Sequence, residues 1–148
     1  MRHFFFFMLT VLNILAFPAQ SGEQQRREGM RVKMRFNGGE VLVRMHDNAA
    51  AREVTALLPA SFEFRDFAGQ EKIASFPQSL SLQDAPRGMV PRVGEMFIFA
   101  PWGNMGIFYK THGQSMDYNL IPLGSVETGL ETLAGAGQNF TATLEISD

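Results

Sequence analysis

The chain has 148 residues, of which 45% are hydrophobic, and it carries 13 Lys and Arg against 15 Asp and Glu. The formal net charge of −2 gives no global reason to expect binding to nucleic acid or to an anionic membrane. Because there is no cysteine, a disulfide, a thiolate metal site and a lipid-bearing cysteine are excluded. This length favours a single domain held together by its hydrophobic core.

Residues 1–21 have the pattern of a secretory signal peptide. Arg2 and His3 form a short positive segment, residues 4–17 are almost wholly apolar, and Ser21 and the alanine two positions before it suit a cleavage site. The alternative is an uncleaved membrane anchor, but the apolar run is shorter than the roughly 20 residues that span a bilayer. We therefore expect export to the periplasm or the medium, cleavage near Ser21 and no membrane attachment afterwards.

The segment after the expected cleavage site divides into a leader and a folded domain. Residues 22–29 are polar and without periodicity, which is typical of a flexible leader. Residues 30–36 alternate apolar and basic side chains, the period of a half-buried strand. The Asn-Gly-Gly run at residues 37–39 predicts a tight hairpin turn, and residues 40–45 predict the return strand. We therefore place one domain at residues 30–148.

A helix is expected next, because the apolar period changes from two to helical spacing. Asp47 or Asn48 is expected to cap its first turn. Pro59 ends the helix at Leu58, since the residue before a proline is displaced from the α region. A second short helix is predicted after Ser125, which would act as its cap.

The remaining apolar segments predict short strands. They lie at residues 61–67, 71–76, 80–82, 94–100, 105–109, 120–124 and 139–146. The strand at residues 94–100 is apolar on both faces, which indicates a wall strand whose outer side is also covered. In the last strand the inward positions are expected to be Phe140, Ala142, Leu144 and Ile146.

Many short antiparallel strands favour a closed barrel over an open sheet, because closure removes exposed strand edges. We therefore predict a mainly β fold, a closed antiparallel β-barrel with two short capping helices. Closure is expected between residues 30–36 and 140–146. Outward Arg and Lys side chains would then lie near outward Thr and Glu.

Several sequence segments carry a resemblance that covers nearly the whole domain. They include Asp47-Asn48-Ala49, Phe64-x-Asp66-x-x-Gly69, Ala100-Pro101-Trp102-Gly103-Asn104 and Leu123-Gly124. With these segments in this order, the chain resembles the bacterial cyclophilin-like fold family. The resemblance implies an eight-stranded or similar barrel capped by helices. It implies no established activity, because the family is defined by its fold.

The parent cyclophilins are peptidyl-prolyl isomerases, and part of their motif is similar to the strand around Arg65. The resemblance implies that Arg65, followed by Phe67 and Gln70, would donate a hydrogen bond to a twisted prolyl amide beside an apolar pocket. The spacing and order differ from the cyclophilin motif, and its histidine is missing here. The alternative is an outward arginine paired with a neighbouring acid, Glu63 or Asp66.

Trp102 is the only tryptophan, and it lies on a Pro-Trp-Gly corner, where a half-buried indole is expected to need a hydrogen-bond partner. One interpretation is a plug for the barrel mouth. The other is one wall of a ligand cleft, because ligand sites favour the mouths of barrels. The candidate ligand residues are Trp102, Asn104, Tyr109, Phe62, Phe67 and Gln70.

Metal and cofactor chemistry has little support in the sequence. His46 and His112 are far apart and show no metal-ligand spacing, so no metal site is expected. The glycines at 135 and 137 follow a predicted helix rather than a strand, so they do not form a dinucleotide-binding fingerprint. We therefore expect no cofactor.

The sequence as a whole favours an exported barrel that acts as a binding or interaction module for a small molecule or an extended peptide segment, without catalysis. The first alternative is a peptidyl-prolyl cis-trans isomerase that uses Arg65. The second is an accessory partner of a redox protein, because relatives of this family can occur beside flavodoxin-like domains. Nucleic acid is not expected as a partner.

Overall fold

The computed structural model describes residues 29–111 and 113–147. Within them the elements are, in chain order, β1 (Arg31–Phe36), β2 (Gly39–Met45), α1 (Ala49–Thr55), β3 (Ala60–Phe67), β4 (Glu71–Ser75), β5 (Glu95–Phe99), β6 (Asn104–Phe108), β7 (Leu120–Thr128), α2 (Leu130–Ala134) and β8 (Asn139–Ser147). The predicted signal peptide and the leader as far as residue 28 lie outside the described residues. No helix in the described ranges has the length and hydropathy to cross a membrane.

The eight strands form a closed barrel in the spatial order β1-β2-β7-β5-β6-β4-β3-β8. All neighbouring pairs are antiparallel. The barrel closes where β1 pairs with β8, with Met34 opposite Leu144 and Arg35 opposite Thr143. The side chain of Arg35 also forms an ion pair with Glu145 of β8. The predicted fold class and the predicted closure of the first strand on the last are therefore confirmed.

Alternate side chains of every strand fill the barrel. The buried interior includes Val32, Met34, Val41, Val43, Phe62, Phe64, Met96, Ile98, Met105, Ile107, Ile121, Leu123, Ala142 and Leu144. Burial of apolar surface stabilises a fold by about 25 cal/mol per Å² removed from water. This single core, which receives side chains from all eight strands, accounts for the stability of a chain that has no disulfide.

The two helices lie at opposite ends of β2. The first, α1, follows the end of β2 and buries Ala50, Ala51 and Val54 in the core. Its cap is Asn48, whose side chain accepts a hydrogen bond from the backbone N–H of Ala51 and donates one to the carbonyl of Pro122, each at 2.9 Å. The second helix, α2, packs beside the start of β2 and is anchored by a fully buried leucine.

The prediction of a strand at residues 80–82 is wrong. Leu82 and Asp84 have φ angles of 50° and 62°, in the left-handed region, which interrupts extended backbone. The loop is held instead by Glu53 of α1, whose carboxylate accepts hydrogen bonds from the backbone N–H groups of Ser81 and Leu82. A side chain on a distant helix therefore fixes the conformation of this segment.

The predicted helix cap at Ser125 is also wrong, because β7 continues to Thr128 instead of ending at Gly124. Ser125 pairs with Arg44 of β2 in the sheet, and its hydroxyl donates to the carboxylate of Glu95 at 3.0 Å. The ladder to β2 thus extends the strand beyond the predicted end. The residue that precedes α2 is Gly129, with a φ of 91°.

Ile146 was predicted to be buried in the core, but 48% of it is exposed. It does lie on the inward face of β8, because it is opposite the buried Val32 of β1. However, β3 begins at Ala60, which pairs with Leu144, so no residue of β3 covers Ile146 on its other side. The inward face of β8 therefore ends at Leu144.

The strand β5 is apolar on both faces, as predicted. Its inner residues join the barrel core, while Phe97 forms a second cluster outside the barrel with Met89, Phe108 and Leu120. Gly106 of β6 makes room for this cluster, because a Cβ there would lie 2.4 Å from the Phe97 ring. The segment around Met89 forms an isolated bridge to Asp117 and covers this outer wall.

Candidate ligand-binding groove

Four neighbouring strands, β3, β4, β6 and β5, present a patch on the outer face of the barrel. Cross-strand pairing arranges its side chains in three rows, Phe67–Glu71–Phe108, Arg65–Ile73–Gly106–Phe97 and Ser75–Asn104–Phe99. Residues opposite one another in antiparallel neighbours share a face of the sheet. Alternation along each strand and the register between the strands together assemble this patch.

Two adjoining cavities lie on the patch. The first has a volume of about 350 Å³ and is lined by residues that include Phe62, Glu63, Arg65, Ile73, Phe76 and Asn104. The second has a volume of about 300 Å³, and its lining includes Phe67, Gln70, Glu71, Phe97, Phe99, Trp102, Asn104, Phe108 and Asp117. Ile73 and Asn104 line both and mark the junction between them. We call the two cavities together the outer groove.

Trp102 lies at the edge of the second cavity and is 61% exposed, more than the half-buried position that was predicted. Its indole contacts Phe67 and Phe99 edge to face, with ring centroids 5.7 and 5.1 Å away. Since β3 and β5 are separated by β4 and β6, the indole extends over the outer face of those two strands. It therefore lies over the outside of the wall rather than in the mouth of the barrel.

Asn104, at the junction of the two cavities, has a buried side-chain oxygen, Oδ1, without a hydrogen-bond donor among the described residues. The residue is only 7% exposed. A buried acceptor without a donor costs about 1–3 kcal/mol of stability. Asn104 lines both cavities, and a turn of its amide toward either one would let this atom accept a hydrogen bond from an N–H or O–H group there.

Glu71 lies in the second cavity between the rings of Phe67 and Phe108 on the neighbouring strands. Burial raises the pKa of its carboxyl group to about 7, because the apolar surroundings disfavour the charged form. Near neutral pH the group therefore exists in both protonation states. Asp117 is the second acid in the lining, and its carboxylate accepts a hydrogen bond from the backbone N–H of Asn119.

Arg65 is exposed on β3 and lines the first cavity. The prediction that a neighbouring acid neutralises it is wrong for the described residues. Asp66 faces the interior, where it binds Lys72 and Tyr109, while Glu63 accepts a hydrogen bond from Thr141 at 2.7 Å. Neither acid forms an ion pair with Arg65.

The remaining candidate ligand residues are divided between different places. Phe67 and Gln70 line the second cavity together with Trp102 and Asn104. Phe62 is buried in the barrel core and borders the first cavity only. Tyr109 lines neither cavity, because its side chain is directed to Asp66. The structure thus brings four of the six together around one cavity.

A buried polar cluster on the inner face was missed by the sequence reasoning. Lys72, only 2% exposed, donates hydrogen bonds to Asp66 at 2.9 Å and to the carbonyl of Gly137 at 2.7 Å. The hydroxyl of Tyr109 also donates to Asp66, at 2.6 Å, which lowers the pKa of Asp66 and raises that of Tyr109 to about 12. The signal available was the two-residue spacing that places Asp66 on the inward face with Phe64.

Metal ligation finds little support in the described part of the chain, which contains no group of three or more His, Asp or Glu side chains arranged to hold an ion. His46 lies 3.7 Å from the carboxylate of Glu95 on the surface. The second histidine considered above, His112, lies outside the described residues.

A closed eight-stranded barrel with helices at its ends defines the class of cyclophilin-like barrels. A family model described as "Cyclophilin-like family" matches residues 34–145, and the chain therefore belongs to the cyclophilin-like family. The solution structure of the hypothetical protein AF2241 from Archaeoglobus fulgidus is similar, with a TM-score of 0.63 and 15% sequence identity. The alignment covers 81% of this chain and 96% of that chain, and this likeness shows the fold alone. No curated protein matches.

Proposed function

We propose that this protein is an exported, non-enzymatic binding module that holds a small molecule or an extended peptide segment in its outer groove. The observation that carries the proposal is the unpartnered Oδ1 of Asn104 at the junction of the two cavities. Ligand sites are concave and mainly apolar, with a few polar groups that fix orientation. The outer groove has this composition, and its volumes of about 350 and 300 Å³ suit a small ligand.

The closed barrel also restricts how a peptide is bound. Every strand in the described ranges is paired on both sides, so these strands offer no free edge for an added strand. An extended peptide would therefore bind across the outer face through its side chains. Each of the two cavities would receive one peptide side chain, with Ile73 and Asn104 between them.

Export is supported by the sequence pattern of residues 1–21. We expect the mature protein to begin at Gly22. Mass spectrometry of the protein recovered from the periplasm or the medium tests this. A mass that corresponds to the full chain, recovered with membranes, would support the anchor alternative instead.

Trp102 is the only tryptophan of the chain, so intrinsic fluorescence reports directly on the second cavity. We expect members of a library of small aromatic molecules and short peptides to change this fluorescence. Replacement of Asn104 by leucine should abolish the response, because it removes the acceptor while keeping similar volume. The matched control is Asn37→Leu, an exposed position in the β1–β2 turn. A library without hits, or hits unaffected by Asn104→Leu, would contradict the proposal.

Isomerase activity is the second candidate, and the position of Arg65 favours it. The guanidinium is exposed beside the first cavity and forms no ion pair with Glu63 or Asp66. In an isomerisation assay on proline peptides, this function requires a rate above background that falls in Arg65→Ala. Equal background rates in both proteins would remove the enzymatic alternative.

A further inference from the structure

We propose that the second cavity of the outer groove binds a hydrophobic organic ammonium ion, such as an aromatic primary amine, in preference to a neutral or anionic ligand of the same shape. This inference rests on the proposed function and specifies the ligand class. It is carried by the aromatic walls of the cavity, by its unpartnered acceptor and by its two acids.

The aromatic walls favour a cation. Trp102, which is 61% exposed, meets Phe67 and Phe99 edge to face. The buried rings of Phe97 and Phe108 stack on each other with centroids 4.3 Å apart, so each covers one face of the other. The faces of aromatic rings attract cations, most strongly in tryptophan. An ammonium group attached to an apolar body would place its charge against these rings while its body contacts the same apolar surface.

The cavity holds an unpartnered acceptor and two carboxyl groups beside the donor-bearing side chains of Gln70, Thr111 and Trp102. The Oδ1 of Asn104 lacks a donor, and the carboxyl groups of Glu71 and Asp117 line the same space. None of the described residues that line this cavity is a lysine or an arginine. An ammonium ion offers three donors and no acceptor, so it complements this set. A hydroxyl group offers one donor, and a carboxylate would meet two acids.

The protonation of Glu71 gives the inference a second, independent signature. With a pKa raised to about 7 by burial, this carboxyl group is roughly half protonated at neutral pH. A cation beside it favours the charged form, so binding should release up to about half a proton at pH 7. Phe67 and Phe108 flank Glu71 on the adjacent strands, and Asp117 is the other titratable group in the described lining.

The test compares three probes that share one aromatic body, namely 2-phenylethylammonium, 2-phenylethanol and phenylacetate. Trp102 fluorescence measures their affinities on the mature protein, and calorimetry in two buffers of different ionisation enthalpy counts the protons released. We expect the amine to bind at least about tenfold tighter than the alcohol, since hydrogen bonds to charged groups are about twice as strong as neutral ones. Phenylacetate should bind weakest.

Variants assign the effect to the cavity. In Glu71→Gln the preference for the amine over the alcohol should fall below about threefold, and proton release should disappear. Glu131→Gln, on the exposed surface of α2, is the matched control and should behave as wild type. Because His112 lies outside the described residues, proton release is also measured in His112→Gln, where it should persist.

The same ammonium chemistry is present in a lysine side chain of a peptide. A blocked Phe-Lys dipeptide is therefore the second arm of the test. Tighter binding of the dipeptide than of the free amine would assign the site to peptide lysine, and the reverse order would assign it to a free amine.

An amine that binds no tighter than the alcohol, or a preference that survives Glu71→Gln, would overturn the inference. Alcohol binding without preference for the amine would leave the proposed binding function intact. Failure of all three probes would also overturn the ammonium inference. The library screen with Asn104→Leu then decides separately whether the groove binds any ligand.

Discussion

The indole of Trp102 contacts the ring of Phe67 edge to face at 5.7 Å, although Phe67 is on β3 and Trp102 follows β5. Two strands, β4 and β6, lie between them in the barrel wall. The contact therefore crosses the outer surface above the row that contains Ile73. It gives the second cavity its rim and places the single fluorescent reporter of the chain beside Asn104.

Trp102→Ala should leave the fold nearly intact while it removes ligand binding. Because 61% of Trp102 is exposed, we expect the free energy of unfolding to fall by only about 1 kcal/mol. The matched control is Phe97→Ala at a buried position of the same wall, where a loss of about 3 kcal/mol or more is expected. Urea unfolding followed by circular dichroism measures both. Similar losses in the two variants would contradict this description of Trp102.

Asn104→Leu should stabilise the protein. The substitution replaces a buried acceptor that has no donor with an apolar side chain of similar size, so we expect the free energy of unfolding to rise by about 1–2 kcal/mol. A residue retained for packing would show a loss instead. Chemical denaturation of the wild type and the variant at one pH gives the answer, and a destabilised Asn104→Leu would show that the amide has a structural role.

The pH dependence of stability should reveal the half-buried carboxyl group of Glu71. Burial raises its pKa from 4.5 to about 7, so between these values the folded protein keeps a proton that the unfolded chain has lost. Folding therefore becomes less favourable as the pH rises through this range, and the cost is constant above it. Glu71→Gln removes the cost.

We expect Glu71→Gln to be more stable than wild type by about 1–2 kcal/mol at pH 8, with allowance for partial exposure of the side chain. At pH 4 the two proteins should unfold at nearly the same urea concentration. The measurement is a pair of urea titrations at these two values. An equal difference at both pH values would mean that the carboxyl group does not titrate in this range.

The cluster of Lys72, Asp66 and Tyr109 should be the most sensitive polar feature of the interior. Lys72→Met removes the cationic partner of Asp66 and leaves it only the hydroxyl of Tyr109. Removal of one member of a buried ion pair lowers the free energy of unfolding by about 3–5 kcal/mol. The double variant Lys72→Met and Asp66→Asn should recover part of this loss. If the double variant is less stable than the single variant, Asp66 does not depend on Lys72 for its neutralisation.

The same cluster predicts a loss of stability in acid. The hydroxyl of Tyr109 and the ammonium of Lys72 hold the pKa of Asp66 below its usual value of 3.8. Its contribution is therefore fully present above that value and is lost as the pH falls through the lower pKa of the folded state. Wild type should lose more stability than Asp66→Asn between pH 4 and pH 2. Parallel losses in the two proteins would exclude Asp66 as a source of acid sensitivity.

The architecture could be predicted because alternation is a local signal. The apolar faces of β1 and β8 were visible in the sequence, and so were the two apolar faces of β5. The errors arose where a distant partner decided the structure. Pairing with β2 extended β7 through Ser125, and the carboxylate of Glu53 fixed the loop at residues 80–82.

The site was less accessible to sequence reasoning, for the same physical reason. Trp102 and Asn104 are candidates because of their local motif. Burial raises the pKa of Glu71, and its neighbours in the sheet, Phe67 and Phe108, belong to strands that pair with β4. No short sequence segment indicates which strands pair with one another in the barrel. The second cavity is consequently a property of the assembled wall.

The central claim is that the outer groove at Asn104 is where this protein binds its ligand. Chemical-shift mapping of the ¹⁵N-labelled mature protein with the tightest ligand from the library tests it most directly. We expect the largest shifts at the side-chain amide of Asn104, the backbone amide of Gly106 and the indole N–H of Trp102. Shifts confined to β1 and β2 on the far side of the barrel, with Asn104 unchanged, would contradict it.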